Sequence, residues 1–167
     1  MKRIAVAVRS MAMLCGTLGV FTTALAQVSE QPAGLTVPGQ ENAQKDIVIS
    51  RTGVALGGSH GVPELYFTIR NTGAAAHLLS GVASPACRRL VGHHADQEGT
   101  EATRDLFTHL ALPAGMTLAF SAGGYNLLCF GAAPDLKVGQ SVSVVFTFLG
   151  GSSQTVQVPV GAPPPGD

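Results

Sequence analysis

The side chains with the most obvious chemistry are five histidines, His60, His77, His93, His94 and His109. Neutral imidazole ligates zinc and copper, so histidines brought together by a fold imply a metal site. His93 and His94 are adjacent at the end of CRRLVGHH, residues 87–94. On a strand, neighbours point to opposite faces, so the pair is not a two-toothed clamp and only one of them can face a given site. The stretch YNLLCF at 125–130 sets an amide and a thiol into an apolar run. Read with period two, Tyr125, Leu127 and Cys129 share one face, while Asn126, Leu128 and Phe130 share the other. Catalytic signatures are missing: the chain has no G-x-S-x-G elbow, no phosphate-binding Walker loop and no H-E-x-x-H. GGSHG at 57–61 reads as a loop, and the few carboxylates fall mostly in loops, so no acid–base pair presents itself and no enzyme is expected.

The elements that must position these groups are strands. DIVIS (46–50), ELYFTIRN (64–71), HLLSGVA (77–83), CRRLVGHH (87–94), DLFTHLA (105–111), MTLAFS (116–121), YNLLCF (125–130), SVSVVFTFL (141–149) and TVQVPV (155–160) are short apolar or alternating runs. Turn residues separate them. In ELYFTIRN, Leu65, Phe67 and Ile69 share one face and Tyr66, Thr68 and Arg70 the other. The glycines at 123 and 124 predict a hairpin between MTLAFS and YNLLCF, and Gly150-Gly151-Ser152 predicts another before TVQVPV. No segment carries a helical stripe. Eight or nine strands with regular turns predict an all-β fold, an antiparallel β-sandwich.

The two ends read differently. Lys2, Arg3 and Arg9 precede an uncharged apolar stretch ending in Ala24-Leu25-Ala26, the form of a signal peptide cleaved after Ala26, so export is expected. A lipoprotein route through Cys15 is disfavoured by Met13-Leu14 before it, where a small residue belongs. Residues 27–45 are polar and hold two prolines, which predicts a flexible arm, and the Pro-rich end 161–167 predicts an extended tail. Three of the ten Lys and Arg leave with the leader and none of the ten Asp and Glu, so the remaining chain is near −3. That balance excludes a basic nucleic-acid surface, and no second stretch could span a membrane. Cys87 and Cys129 remain, either as one disulfide, expected in an exported protein, or as two buried thiols.

In order, ELYFTIRNTG, Ser84-Pro85-Ala86, a histidine, a polar loop, LPAG, GGY and a valine-rich hairpin ending VPV resemble the PCu(A)C family of periplasmic copper chaperones over residues 46–160. The resemblance implies a cupredoxin-like sandwich and copper delivery toward a respiratory oxidase subunit or another copper chaperone. Family members bind copper with a histidine, a methionine eleven residues later, and a His-x-Met after the GGY turn. Those positions here hold His93, Arg104, Asn126 and Leu128. Soft thioethers select Cu(I), yet only Met116 lies beyond the leader and it matches no ligand position. Arg104 would set a cation where the metal belongs. The expectation is therefore a degenerate site that binds copper weakly or not at all. His93, His94, His109 and Asn126 are its remaining donors and suit Cu(II) or Zn(II) better. A metal-free interaction module on the same scaffold is the alternative.

Overall fold

Period-two patterning yields strands at the expected places in the computed structural model, which describes residues 40–58, 60–94 and 110–162; residues 105–109 of the expected strand DLFTHLA lie outside them. A short helix α1 (Ala43–Asp46) leads into β1 (Ile47–Ala55) and β2 (Glu64–Asn71). Then follow β3 (His77–Ala83), β4 (Cys87–His94), β5 (Leu110–Leu112), β6 (Thr117–Phe120), β7 (Tyr125–Ala132), β8 (Ser141–Phe148) and β9 (Ser153–Gly161). The path runs β4-β7-β2-β1-β9-β8-β3-β5, with β6 also on β2. All pairs are antiparallel except β1 with β9, which meet in parallel at Val54 and Val160 and join the two layers.

The core lies between those layers. Leu65, Phe67 and Ile69 of β2 and Leu127 of β7 face Val144, Phe146 and Phe148 of β8 and Val158 and Val160 of β9, all fully buried. Phe67 stacks on Phe120 at 4.2 Å between ring centres and meets Phe146 edge-on at 5.0 Å. Each such phenyl contributes about 1.5–3 kcal/mol through burial. The β8–β9 hairpin forms as expected, with Val144 opposite Val156.

Two expectations need correction. Of the arm expected over 27–45, the described residues 40–45 are not loose but docked, together with Asp46. Ala43 is fully buried, Gln40 Nε2 donates to the Ala76 carbonyl at 2.7 Å, and Asp46 Oδ2 lies 2.7 Å from Nε2 of the buried His77. One alanine and a few polar contacts give no apolar period, so nothing in the pattern marks α1. Second, the glycines at 123 and 124 do not close a hairpin. β6 pairs with β2 over Phe67–Phe120 to Arg70–Thr117, and β7 pairs with the same strand at Leu65–Leu127 and Glu64–Leu128. They run in line along one edge of β2, and residues 121–124 loop out between them. The Gly124 amide closes that turn on the Ser121 carbonyl at 3.1 Å, and Gly123 supplies a φ of 83°.

Candidate metal centre

β4 and β7 pair so that His93 stands opposite Asn126 and His94 opposite Tyr125. Leu127 and Cys129 turn into the core, so Asn126 and Leu128 take the outer face, as the parity of the stretch requires. There His93 Nδ1 lies 3.2 Å from Asn126 Oδ1. Next along the sheet, β2 brings Glu64 to the same face. Asn126 Nδ2 donates to Glu64 Oε2 at 3.0 Å, and the Tyr66 hydroxyl donates to the same oxygen. The loop after β1 folds over this row. A Cβ at Gly58 would overlap the Glu64 carboxylate, so the close approach requires glycine there. His60 completes the group: its Nδ1 is 3.7 Å from Glu64 Oε1 and its ring is 4.2 Å from that of His93. Leu56, Gly58, Glu64, Tyr66, His93 and Asn126 line an open cleft of about 440 Å³.

The bonds form a directed chain. Asn126 gives its amide hydrogens to a carboxylate, so its Oδ1 is the acceptor toward His93 and His93 Nδ1 carries the proton. The Nε2 lone pair of His93 is then free for a ligand. Glu64, Tyr66 and Asn126 are each at most 4% exposed. Burial, then the hydrogen bond from Tyr66 to Glu64 and the negative charge of that carboxylate, push the Tyr66 phenol up to about 12. It therefore stays a donor at every physiological pH.

The structure unites His93 with Asn126 and leaves Leu128 beside them, opposite Val91 and Glu64. His94 goes elsewhere, its ring edge-on to Tyr125 at 4.5 Å. Arg104 and His109 lie outside the described residues. Cys129 is bonded to Cys87 across β4 and β7, with Cα atoms 5.4 Å apart, which closes the alternative of two free thiols. Glu64, Tyr66 and His60 were not foreseen as site residues. The parity of ELYFTIRN already put Glu64 on the Tyr66 face; a carboxylate at a strand start reads as a surface group until a loop is seen to cover it. Among the described residues, no group of three or more His, Cys, Asp and Glu is placed so that it could hold a metal ion.

Residues 43–160 match the family model described as "Putative lipoprotein LpqE-like". The chain belongs to the LpqE-like family. It is 30% identical over 130 residues to "Putative lipoprotein Lxx21020" of Leifsonia xyli subsp. xyli (strain CTCB07), covering 77% of this chain and 76% of that one. Among solved structures, the LpqE-like chain resembles the copper-bound PCuAC domain from PmoF2, at 21% identity and a TM-score of 0.56 over 71% of this chain and 94% of that one. It also resembles the Cu(I) form of DR1885 from Deinococcus radiodurans, at 22% identity and 0.54 over 79% and 84%. At such identities these likenesses show the fold: the LpqE-like chain has the PCuAC fold that its sequence resemblance implied.

Proposed function

We propose that this LpqE-like chain handles copper outside the cytoplasm, as a carrier and not a catalyst, through an altered form of the PCu(A)C site. The observation that supports this best is the β4–β7 register. It sets His93 against Asn126 at the mouth of a polar cleft, on a scaffold shared with a copper-bound domain. The donor set has changed. Met116, 40% exposed before β6, does not line the cleft, and Leu128 stands where the resemblance places a thioether. Imidazole with amide and carboxylate oxygen favours harder ions than Cu(I). A respiratory oxidase subunit or another copper chaperone is the proposed recipient.

Copper titrated into the purified chain against a competing chelator tests the reading. One equivalent should bind, and His93→Ala should weaken binding about tenfold or more. Failure of either copper oxidation state to bind more tightly than about 1 μM overturns copper carriage by this chain alone. A metal-free interaction module is the second reading, favoured by the way His93, Asn126, Glu64 and Tyr66 already satisfy one another.

Export is proposed from the leader and from the lipoprotein description of the relatives. The intact mass of the chain recovered from a producing cell should begin at Gln27. A diacylated product beginning at Cys15 overturns that cleavage site in favour of the lipoprotein route.

A further inference from the structure

We infer that Glu64 is a positioning residue for His93: acting through Asn126, it keeps the ring proton of His93 on Nδ1 and so makes Nε2 the one nitrogen of that ring with a lone pair for copper. The inference rests on the reading that His93 is a copper donor, and it deepens that reading. The resemblance places a ligand at position 126. In this chain Asn126 instead orients the histidine at the first ligand position, and Glu64 belongs to no part of the His and Met pattern.

Three observations carry it. First, the bonds have one direction. The Tyr66 hydroxyl and Asn126 Nδ2 both donate to Glu64 Oε2, the amide at 3.0 Å. With its hydrogens turned to the carboxylate, Asn126 can only accept from His93, whose Nδ1 lies 3.2 Å from Asn126 Oδ1. Turning the amide over would set Oδ1 against a carboxylate oxygen. Second, water does not compete for these bonds. Glu64, Tyr66 and Asn126 are 3%, 2% and 4% exposed, so a misdirected amide would remain unpaired at its full desolvation cost. Third, strands hold the row. His93 is opposite Asn126 in the β4–β7 register, and Glu64 is opposite Leu128 on the other side of β7. Gly58 lies against the Glu64 carboxylate, and the His60 ring packs at 4.2 Å from that of His93. The relay is set by three neighbouring strands, so it stands ready before any ion arrives. Metal-ligating histidines commonly have their second nitrogen fixed by a carboxylate or a carbonyl. Here a side-chain amide stands between the imidazole and the carboxylate.

Nitrogen NMR of the histidine rings reads the proton directly, on the metal-free chain at alkaline pH where imidazole is neutral. His93 should carry it on Nδ1, whereas an unrestrained imidazole favours Nε2. Glu64→Leu removes the acceptor and should return His93 mostly to the Nε2–H form, with the His94 signals unmoved as the check on folding. Should that variant fail to fold, adding Tyr66→Phe removes the hydroxyl donor together with its acceptor, a milder change, and should give the same return. Glu64→Gln, whose amide oxygen still accepts from both donors, should keep the proton on Nδ1. Copper affinity, measured by the chelator competition above, should fall about tenfold or more in Glu64→Leu. A proton on Nε2 in the unmodified chain overturns the inference. So does a proton that stays on Nδ1 without the acceptor or leaves it in Glu64→Gln, or a copper affinity indifferent to Glu64→Leu. In each of these cases copper handling survives if the unmodified chain still binds copper through His93. Absence of copper binding by the unmodified chain sinks that reading, and the positioning role with it, whatever the tautomer.

Discussion

Serine in place of both Cys87 and Cys129 should lower stability by about 4 kcal/mol, the largest loss expected from two isosteric changes in this chain. The bond joins residues 42 apart in sequence, and the chain-entropy model gives about that figure for a loop of this length. A domain of this size has only about 5–15 kcal/mol in total, so the midpoint of thermal unfolding should fall by about 10–20 °C. The position of the bond adds a local effect. β4 lies at the end of the strand path and pairs with β7 alone among the described strands. The staple is thus the covalent part of what holds His93 against Asn126. The same loss should follow in the unmodified chain when a strong reductant is added. Thermal melts with and without reductant check it; a difference under about 1 kcal/mol would show that the bond contributes little.

Restoring the ligand pattern is the second large effect. The triple variant Arg104→Met, Asn126→His and Leu128→Met should raise Cu(I) affinity at least about a thousandfold, or about 4 kcal/mol. Positions 126 and 128 share the outer face of β7, and 126 is opposite His93, so the new imidazole and one thioether arise beside the existing imidazole. With position 104 beside them, as the resemblance implies, two soft sulfurs should select Cu(I) and removal of the Arg104 charge should help any cation. The stability cost is separable. Leu128→Met conserves volume and should cost less than about 1.5 kcal/mol. Asn126→His removes a donor from Glu64 Oε2, for about 1–3 kcal/mol. Competition with a Cu(I) chelator measures the gain, which should vanish when His93→Ala is added. No gain, or a gain indifferent to His93, would show that positions 104, 126 and 128 do not stand around one site.

What could be read in advance followed from parity. Period two on β7 sent Asn126 and Cys129 to opposite faces, and the structure gives each a different fate: a cleft for one and a buried disulfide for the other. The valines and phenylalanines of β8 and β9 announced the core in the same way. What escaped depends on partners distant in sequence. Two glycines signal a turn, but whether the chain reverses is decided by which strand receives it, and β2 receives both β6 and β7. Glu64 looks like a surface carboxylate until Gly58 is seen to lie on it. α1 is four residues long and leaves no periodic trace.

The looped-out residues 121–124 have one more implication. They interrupt a line of pairing without belonging to either side of it, and Ala122 and Gly123 form part of the cleft wall. Their number can change while the register of β6 and β7 on β2 is conserved. Loop tips of this kind tolerate changes in length, so lengthening or shortening the rim would resize the cleft with the scaffold beneath it unaltered.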